Sequence, residues 1–175
     1  MSTNFNFNET TFLKLYKSTL SAFPNTIFRQ HVIDVIEVKD LKFIPYIGLN
    51  TLFIKSITEN TEKNTKYKTL ALIKNINYKD FKKSTKIFDE YGKQHNFEKP
   101  KIKDNDVLIR CSCDDFMWRF HQYNSKDKSL YGRKKENYIS KGLFEANPSK
   151  SPGMCKHLMK LFENLIKKKI IEATW

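Results

Sequence analysis

The sequence predicts an α+β fold: a small antiparallel sheet, an N-terminal helix and a C-terminal helix anchored by a metal. Three observations lead there. Segments rich in β-branched and aromatic residues recur at 51–57, 66–74 and 106–111, each of strand length and bounded by polar stretches. Residues 155–171 carry Leu158, Leu161, Phe162, Leu165 and Ile166 on one helical stripe. The chain's 3 cysteines fall in two tight groups, Cys111 with Cys113 and Cys155 beside His157.

Taken in order, residues 9–23 read as a helix that Thr10 or Thr11 can cap, with Phe12, Leu13, Tyr16 and Leu20 at helical spacing. Pro24 stops it. HVIDVIEV at 31–38 reads as a strand, and LKFIPYIG at 41–48 holds Pro45, which makes it an edge strand or a loop. TLFIKSI at 51–57 and KYKTLALIK at 66–74 form a hairpin with 58–65 as its loop. Phe81, Ile87 and Tyr91 among charges suggest a short helix over 78–91, and Pro100 marks 92–105 as a connection. DVLIRC at 106–111 is the next strand. DFMWRFHQY at 115–123 suits either helix or strand, and 124–153 reads as a long loop punctuated by Gly132, Gly142, Pro148, Pro152 and Gly153. The final helix ends in Lys167, Lys168 and Lys169, where cations suit the helix dipole.

A chain of 175 residues suits one domain, or one with a small appended module. Aromatic residues make up 14% of it, enough to carry much of a core. The net charge of +13, from 32 basic and 19 acidic residues, favours a polyanionic partner: nucleic acid, an anionic surface or an acidic protein. The Lys-, Asn-, Ile- and Phe-rich composition of an AT-rich genome would raise that charge without any partner. No apolar stretch approaches the roughly 18 residues that span a bilayer. The N-terminus MSTNFNFNET lacks the basic and apolar regions of a signal peptide. The expectation is a soluble protein, made in a reducing cytoplasm, with no membrane partner. Three cysteines do not read as a disulfide framework.

Zinc favours four tetrahedral ligands drawn from Cys thiolate and His nitrogen. Cys111 and Cys113 stand two apart at the end of a strand, where i and i+2 share a face. Cys155 and His157 follow an insert over 114–154, 41 residues long. On an ideal helix i and i+2 diverge, so this pair belongs at the helix N-terminus, where the dipole also favours thiolate. Three cysteines and one histidine fill the shell, the mark of one structural Zn2+. The competing readings are three buried thiols beside an unrelated histidine, and a redox pair, whose usual spacing is CxxC. His121 is an alternative fourth ligand, while His31 and His95 are isolated. Asp114 and Asp115 adjoin the cysteines and suit turn or supporting hydrogen bonds better than a nuclease metal site. Phe116, Trp118 and Phe120 would pack the insert onto the zinc, Pro152 and Gly153 would shape the turn before Cys155, and Lys156 would point outward.

Cys-x-Cys followed at a distance by Cys-x-His resembles the SWIM-type zinc finger, although the insert here is longer than such fingers usually carry. RCSCDDFMWRF at 110–120 and NPSKSPGMCKHLMKL at 147–161 are closer to SWIM-like virion proteins of tailed bacteriophages. The matching residues are Arg110, Cys111, Ser112, Cys113, Asp115, Phe116 and Arg119, then Asn147, Pro148, Pro152, Gly153, Cys155, Lys156, His157 and Leu158. This resemblance spans about residues 50–165. It divides the chain into an N-terminal helix and strand region, 1–49, and a SWIM-like zinc-binding domain, 50–175, with a long basic insert at 124–153. It implies a non-enzymatic component of a tailed-phage virion, at the portal, neck, ring or tail connector. Such a component would be assembled in the host cytoplasm and contact other virion proteins within a homo-oligomeric ring.

Within the insert, Lys126, Lys128, Arg133, Lys134, Lys135 and Lys141 alternate with Tyr123, Tyr131 and Tyr138. Basic residues interleaved with aromatics bind nucleic acid through phosphates and stacking, and equally make an arm that lies on a neighbouring subunit. A zinc-finger DNA-binding protein is therefore the alternative function, with a metal-dependent nuclease behind it. No Gly-rich phosphate loop, Ser-His-Asp set or HExxH motif occurs.

Overall fold

The computed structural model describes residues 10–23, 35–79, 84–134 and 146–173. Helix α1 (Phe12–Ala22) opens at Thr11, whose side chain accepts from the Lys14 amide as an N-cap. Six strands follow: β1 (Ile36–Tyr46), β2 (Thr51–Asn60), β3 (Thr65–Ile73), β4 (Thr85–Phe88), β5 (Gln94–Phe97) and β6 (Val107–Cys111). Two short helices come next, α2 (Asp114–Arg119) and α3 (His121–Lys126), and the long α4 (Lys156–Lys167) closes the order.

Strands β1, β2, β3 and β6 form one antiparallel sheet in the order β1-β2-β3-β6, and β4 pairs with β5 separately. The architecture is α+β, with the N-terminal helix and the C-terminal helix as expected. Helix α4 packs across all four strands of the larger sheet. Leu158, Leu161, Phe162 and Leu165 from α4 join Leu52, Ile54, Ala71, Ile73, Val107 and Ile109 in the core. Fully burying each such side chain contributes about 1.5–3 kcal/mol, so this face alone is enough to seat the helix. Helix α1 adds Phe12 and Leu15, and the Phe12 ring stacks on Phe162 with centroids 4.9 Å apart. The described parts of 1–49 thus share a sheet and a core with the rest of the chain.

Several expectations need correction. The expected strand at 31–38 and the edge strand or loop at 41–48 merge where they are described: residues 36–46 form one edge strand, with Pro45 inside it and a bulge between Lys39 and Lys42, while 31–34 lie outside the described residues. Asp40 takes φ 47° there, which absorbs the irregularity. The hairpin loop is 61–64 rather than 58–65, because Thr58 and Asn60 turn inward and prolong β2. No helix forms at 78–91 among the described residues. Residues 85–88 are a strand with only Ile87 buried, and Gly92 at φ 78° closes a hairpin to β5. The segment 92–105 is accordingly not all connection. The loop expected over 124–153 begins inside α3, and Leu130 then bridges Ile109 on β6. Among the described residues, no helix is long and apolar enough to cross a membrane.

Candidate metal centre

Cys111, Cys113, Cys155 and His157 come together, all buried, with their ligand atoms within 4.8 Å of one another. The set can hold one metal ion. Tetrahedral Zn–S bonds of about 2.3 Å place sulfurs roughly 3.7 Å apart, so small side-chain rotations close the cage. Cys111 ends β6, and its backbone pairs with Thr69. Ser112 continues that pairing, donating to the Lys68 carbonyl at 3.0 Å while its hydroxyl accepts from the Lys68 amide at 2.9 Å. Cys113 is therefore still extended and turns to the same side as Cys111. Its Sγ accepts from the Phe116 amide at 3.3 Å, which makes it the N-cap of α2. Cys155 is likewise the N-cap residue of α4, and His157 lies in the first turn, as the i, i+2 spacing required.

The electrostatics favour a cation. Burial pushes the Cys111 thiol above its ordinary range, and its contact with Cys113 adds to that. Burial also pushes Cys155 well up. Cys113 goes the other way: hydrogen bonds from Cys111 and then Cys155 hold it far below the usual thiol range, against its own desolvation. A divalent metal bound here would displace protons from the buried thiols. Both ring nitrogens of His157 are buried and neither makes a well-formed hydrogen bond, although the ring's interaction with Cys113 helps hold that thiol low. A buried imidazole without such a bond costs about 1–3 kcal/mol, and metal ligation removes that cost. The Tyr67 ring covers His157 with centroids 4.6 Å apart.

Side chains from elsewhere hold the approach to Cys155. Asn124 on α3 accepts from the Gly153 amide at 2.8 Å and donates to the Gly153 carbonyl at 3.0 Å. Thr19 on α1 accepts from the Met154 amide at 2.8 Å and donates to the Leu15 carbonyl at 2.8 Å. Ser18 donates to the Pro152 carbonyl at 2.6 Å, and Asn147 donates to Arg119 and Ser151 carbonyls at 2.8 Å. Gly153 is required for space: a Cβ would lie 2.6 Å from Thr19 Oγ1 and 2.7 Å from Phe120 Cε1. The turn lies at 148–149 and not at Pro152 and Gly153; Asn147 stood in the matched segment, whereas the supports Thr19 and Asn124 carried no recognisable signal beyond polarity in apolar surroundings.

Other candidates fall elsewhere. His121 is outside the cluster; its Nε2 accepts from the Arg110 guanidinium at 3.1 Å. His95 bonds Asp89 at 2.8 Å in the small hairpin, and His31 lies outside the described residues. Asp115 pairs with Arg119 at 3.1 Å within α2, and Asp114 is exposed in its first turn. Phe116 and Phe120 are fully buried as expected, whereas Trp118 is 42% exposed and does not pack the insert inward. Lys156 is half-buried. Among the basic candidates, Lys126, Lys128, Arg133 and Lys134 are exposed, with Lys126 over the Tyr123 ring at 5.7 Å. Lys135 and Lys141 lie outside the described residues. No protein-family model matches the chain, nor does any curated protein or solved structure compared with it.

Proposed function

We propose that Cys111, Cys113, Cys155 and His157 bind one structural zinc, and that the chain is a non-enzymatic structural component of a tailed-phage virion. The observation that carries the first part is the buried cluster itself, with three thiols and a His157 ring whose nitrogens make no well-formed hydrogen bond. Three sulfurs and one nitrogen in a tetrahedral cage suit zinc better than the oxygen-seeking cations. All four positions come from protein, so the ion would tie the end of β6 to the start of α4 and leave no site for a reacting water. The binding free energy then serves as folding free energy.

The virion role rests on the resemblance of 110–120 and 147–161 to phage SWIM-like proteins, in which neighbouring subunits are the partners. Metal content by mass spectrometry on protein purified without added metal tests the zinc. About one zinc per chain, lost in Cys155→Ser with a fall in melting temperature of ~10 °C or more, is expected, given ~2–4 °C per kcal/mol at this size. A folded, zinc-free wild type would sink the reading. Sedimentation of the zinc-loaded chain tests assembly: self-association that survives high salt supports a ring component.

A further inference from the structure

The outer face of the larger sheet turns away from α4 and carries a lysine lattice that the metal centre does not use. Lys42 on β1 stands directly opposite Lys55 on β2. One step along, Ile57 lies between Lys39 on β1 and Lys68 on β3 in the same row. All four lysines are exposed. Lys39 pairs with Glu37, and Lys66 at the lattice edge pairs with Glu59 at 3.7 Å. Lys42, Lys55 and Lys68 have no acidic partner among the described residues. Like charges directly opposite on neighbouring strands destabilise a sheet, so an uncompensated Lys42–Lys55 pair is a cost in the isolated molecule. Protection of an exposed edge explains Lys39 and Lys42 on β1. It does not explain Lys55 and Lys68, which lie on the interior strands β2 and β3.

We propose that this face docks the phosphate backbone of a nucleic acid, with Lys42, Lys55 and Lys68 as its principal contacts. A shallow groove crosses the face over Ile57 between Lys39 and Lys68 and reaches Ser112; Asp40 and Glu59 also border it. Tyr46 sits on the same side of β1 as Lys42, 44% exposed, where a base can stack. Tyr131 and Arg133 of the insert border this face too, since the Arg133 carbonyl accepts from Arg110 and Tyr131 stacks on Phe53 at 4.8 Å. Interfaces with protein draw their energy from aromatic and Arg anchors and are depleted in Lys. The unpaired charge of the lattice is Lys, with Arg110 beside it on β6 held by His121 and the Arg133 carbonyl, and such charge fits phosphates, which need cations but no shaped pocket. The proposal does not depend on the metal, although the end of β6 beside the cysteines borders the same face.

The test is fluorescence anisotropy of a labelled oligonucleotide, single-stranded and duplex, titrated with full chain of measured metal content over a salt series. Lys42→Gln, Lys55→Gln and Lys68→Gln are added stepwise. Each should flatten the plot of log affinity against log salt by roughly 0.7–0.9, and the triple variant by roughly 2–3. A control triple, Lys86→Gln, Lys93→Gln and Lys101→Gln, removes the same charge from exposed positions elsewhere and should leave the slope nearly unchanged. Equal loss in the control would overturn the proposal in favour of bulk charge. Absence of binding at low salt would overturn it too, as would preference for polyglutamate over the oligonucleotide at matched ionic strength.

Discussion

His157 shows how a single side chain changes sign with its ligand. Its two nitrogens are buried without a well-formed hydrogen bond and its ring lies against Tyr67. With a metal bound, His157→Leu removes a ligand and should lower the melting temperature. With the metal chelated, the same change replaces an unsatisfied imidazole by a hydrocarbon and should raise stability by about 1–3 kcal/mol. Paired melts with and without chelator read that inversion, and a drop of equal size in both would show that His157 is not a ligand. The residues before Cys155 are equally constrained. Thr19→Val keeps the shape but leaves the Met154 amide without its acceptor at 0% exposure, a loss of about 1–3 kcal/mol. Gly153→Ala forces a methyl into Thr19 and Phe120, and overpacking of this kind costs about 1–3 kcal/mol. Both variants should weaken metal retention against a competing chelator, because both displace the segment that leads into Cys155.

At the scale of elements, the hairpin β4–β5 owes its turn to Asp89. Its Oδ1 accepts from the Tyr91 and Lys93 amides at 3.0 and 2.9 Å, and its Oδ2 bonds His95. The bond to His95 holds the Asp89 carboxyl below its ordinary value of 3.8. A depressed carboxylate stabilises the fold above its unfolded pKa, and that contribution fades as pH falls through the lower folded value. Acid titration followed by amide exchange should therefore loosen residues 85–97 only below about pH 4. Asp89→Ala should loosen them at neutral pH while β2 and β3 stay protected. This hairpin was hidden because Ile87 and Tyr91, four apart among charged residues, imitate the apolar spacing of a helix. The alternation of burial at 85–88 and the glycine at φ 78° only make sense once the pairing is known. By contrast, α4 was legible: its stripe of Leu158, Leu161, Phe162 and Leu165 is buried as spaced. The cluster of Cys111, Cys113, Cys155 and His157 was legible from spacing alone, since a strand end and a helix start each impose their own geometry on an i, i+2 pair. Thr58 and Asn60 were not, because buried polar residues look like loop residues until their bonding partners are visible. Thr58 bonds to the Tyr67 carbonyl, and Asn60 Oδ1 accepts from the Glu62 and Lys63 amides.

In the molecule as a whole, two layers of stabilisation meet at one edge. The apolar layer runs from β2 and β3 through α4 to Phe12, and Phe116, Phe120 and Met154 extend it to the cysteines. The polar layer consists of the hydrogen bonds of Asn124, Asn147 and Thr19, which tie α1, α2 and α3 to the 147–154 segment ahead of Cys155. Removing the metal should therefore separate the layers instead of unfolding the chain at once. Hydrogen exchange on chelated protein should show lost protection at 112–126 and 151–158, and retained protection at 52–58 and 69–73. The same division sets the pH response. Metal binding must displace protons from Cys111 and Cys155, whose thiols are pushed upward by burial, so affinity falls as pH falls. Zinc release followed with a chromophoric chelator should accelerate on acidification, and loss of protection at 112–126 should keep pace with it. Release with no change in exchange would mean that the polar layer stands without its metal, and that the ion is cargo bound to a finished fold and not the clamp between β6 and α4.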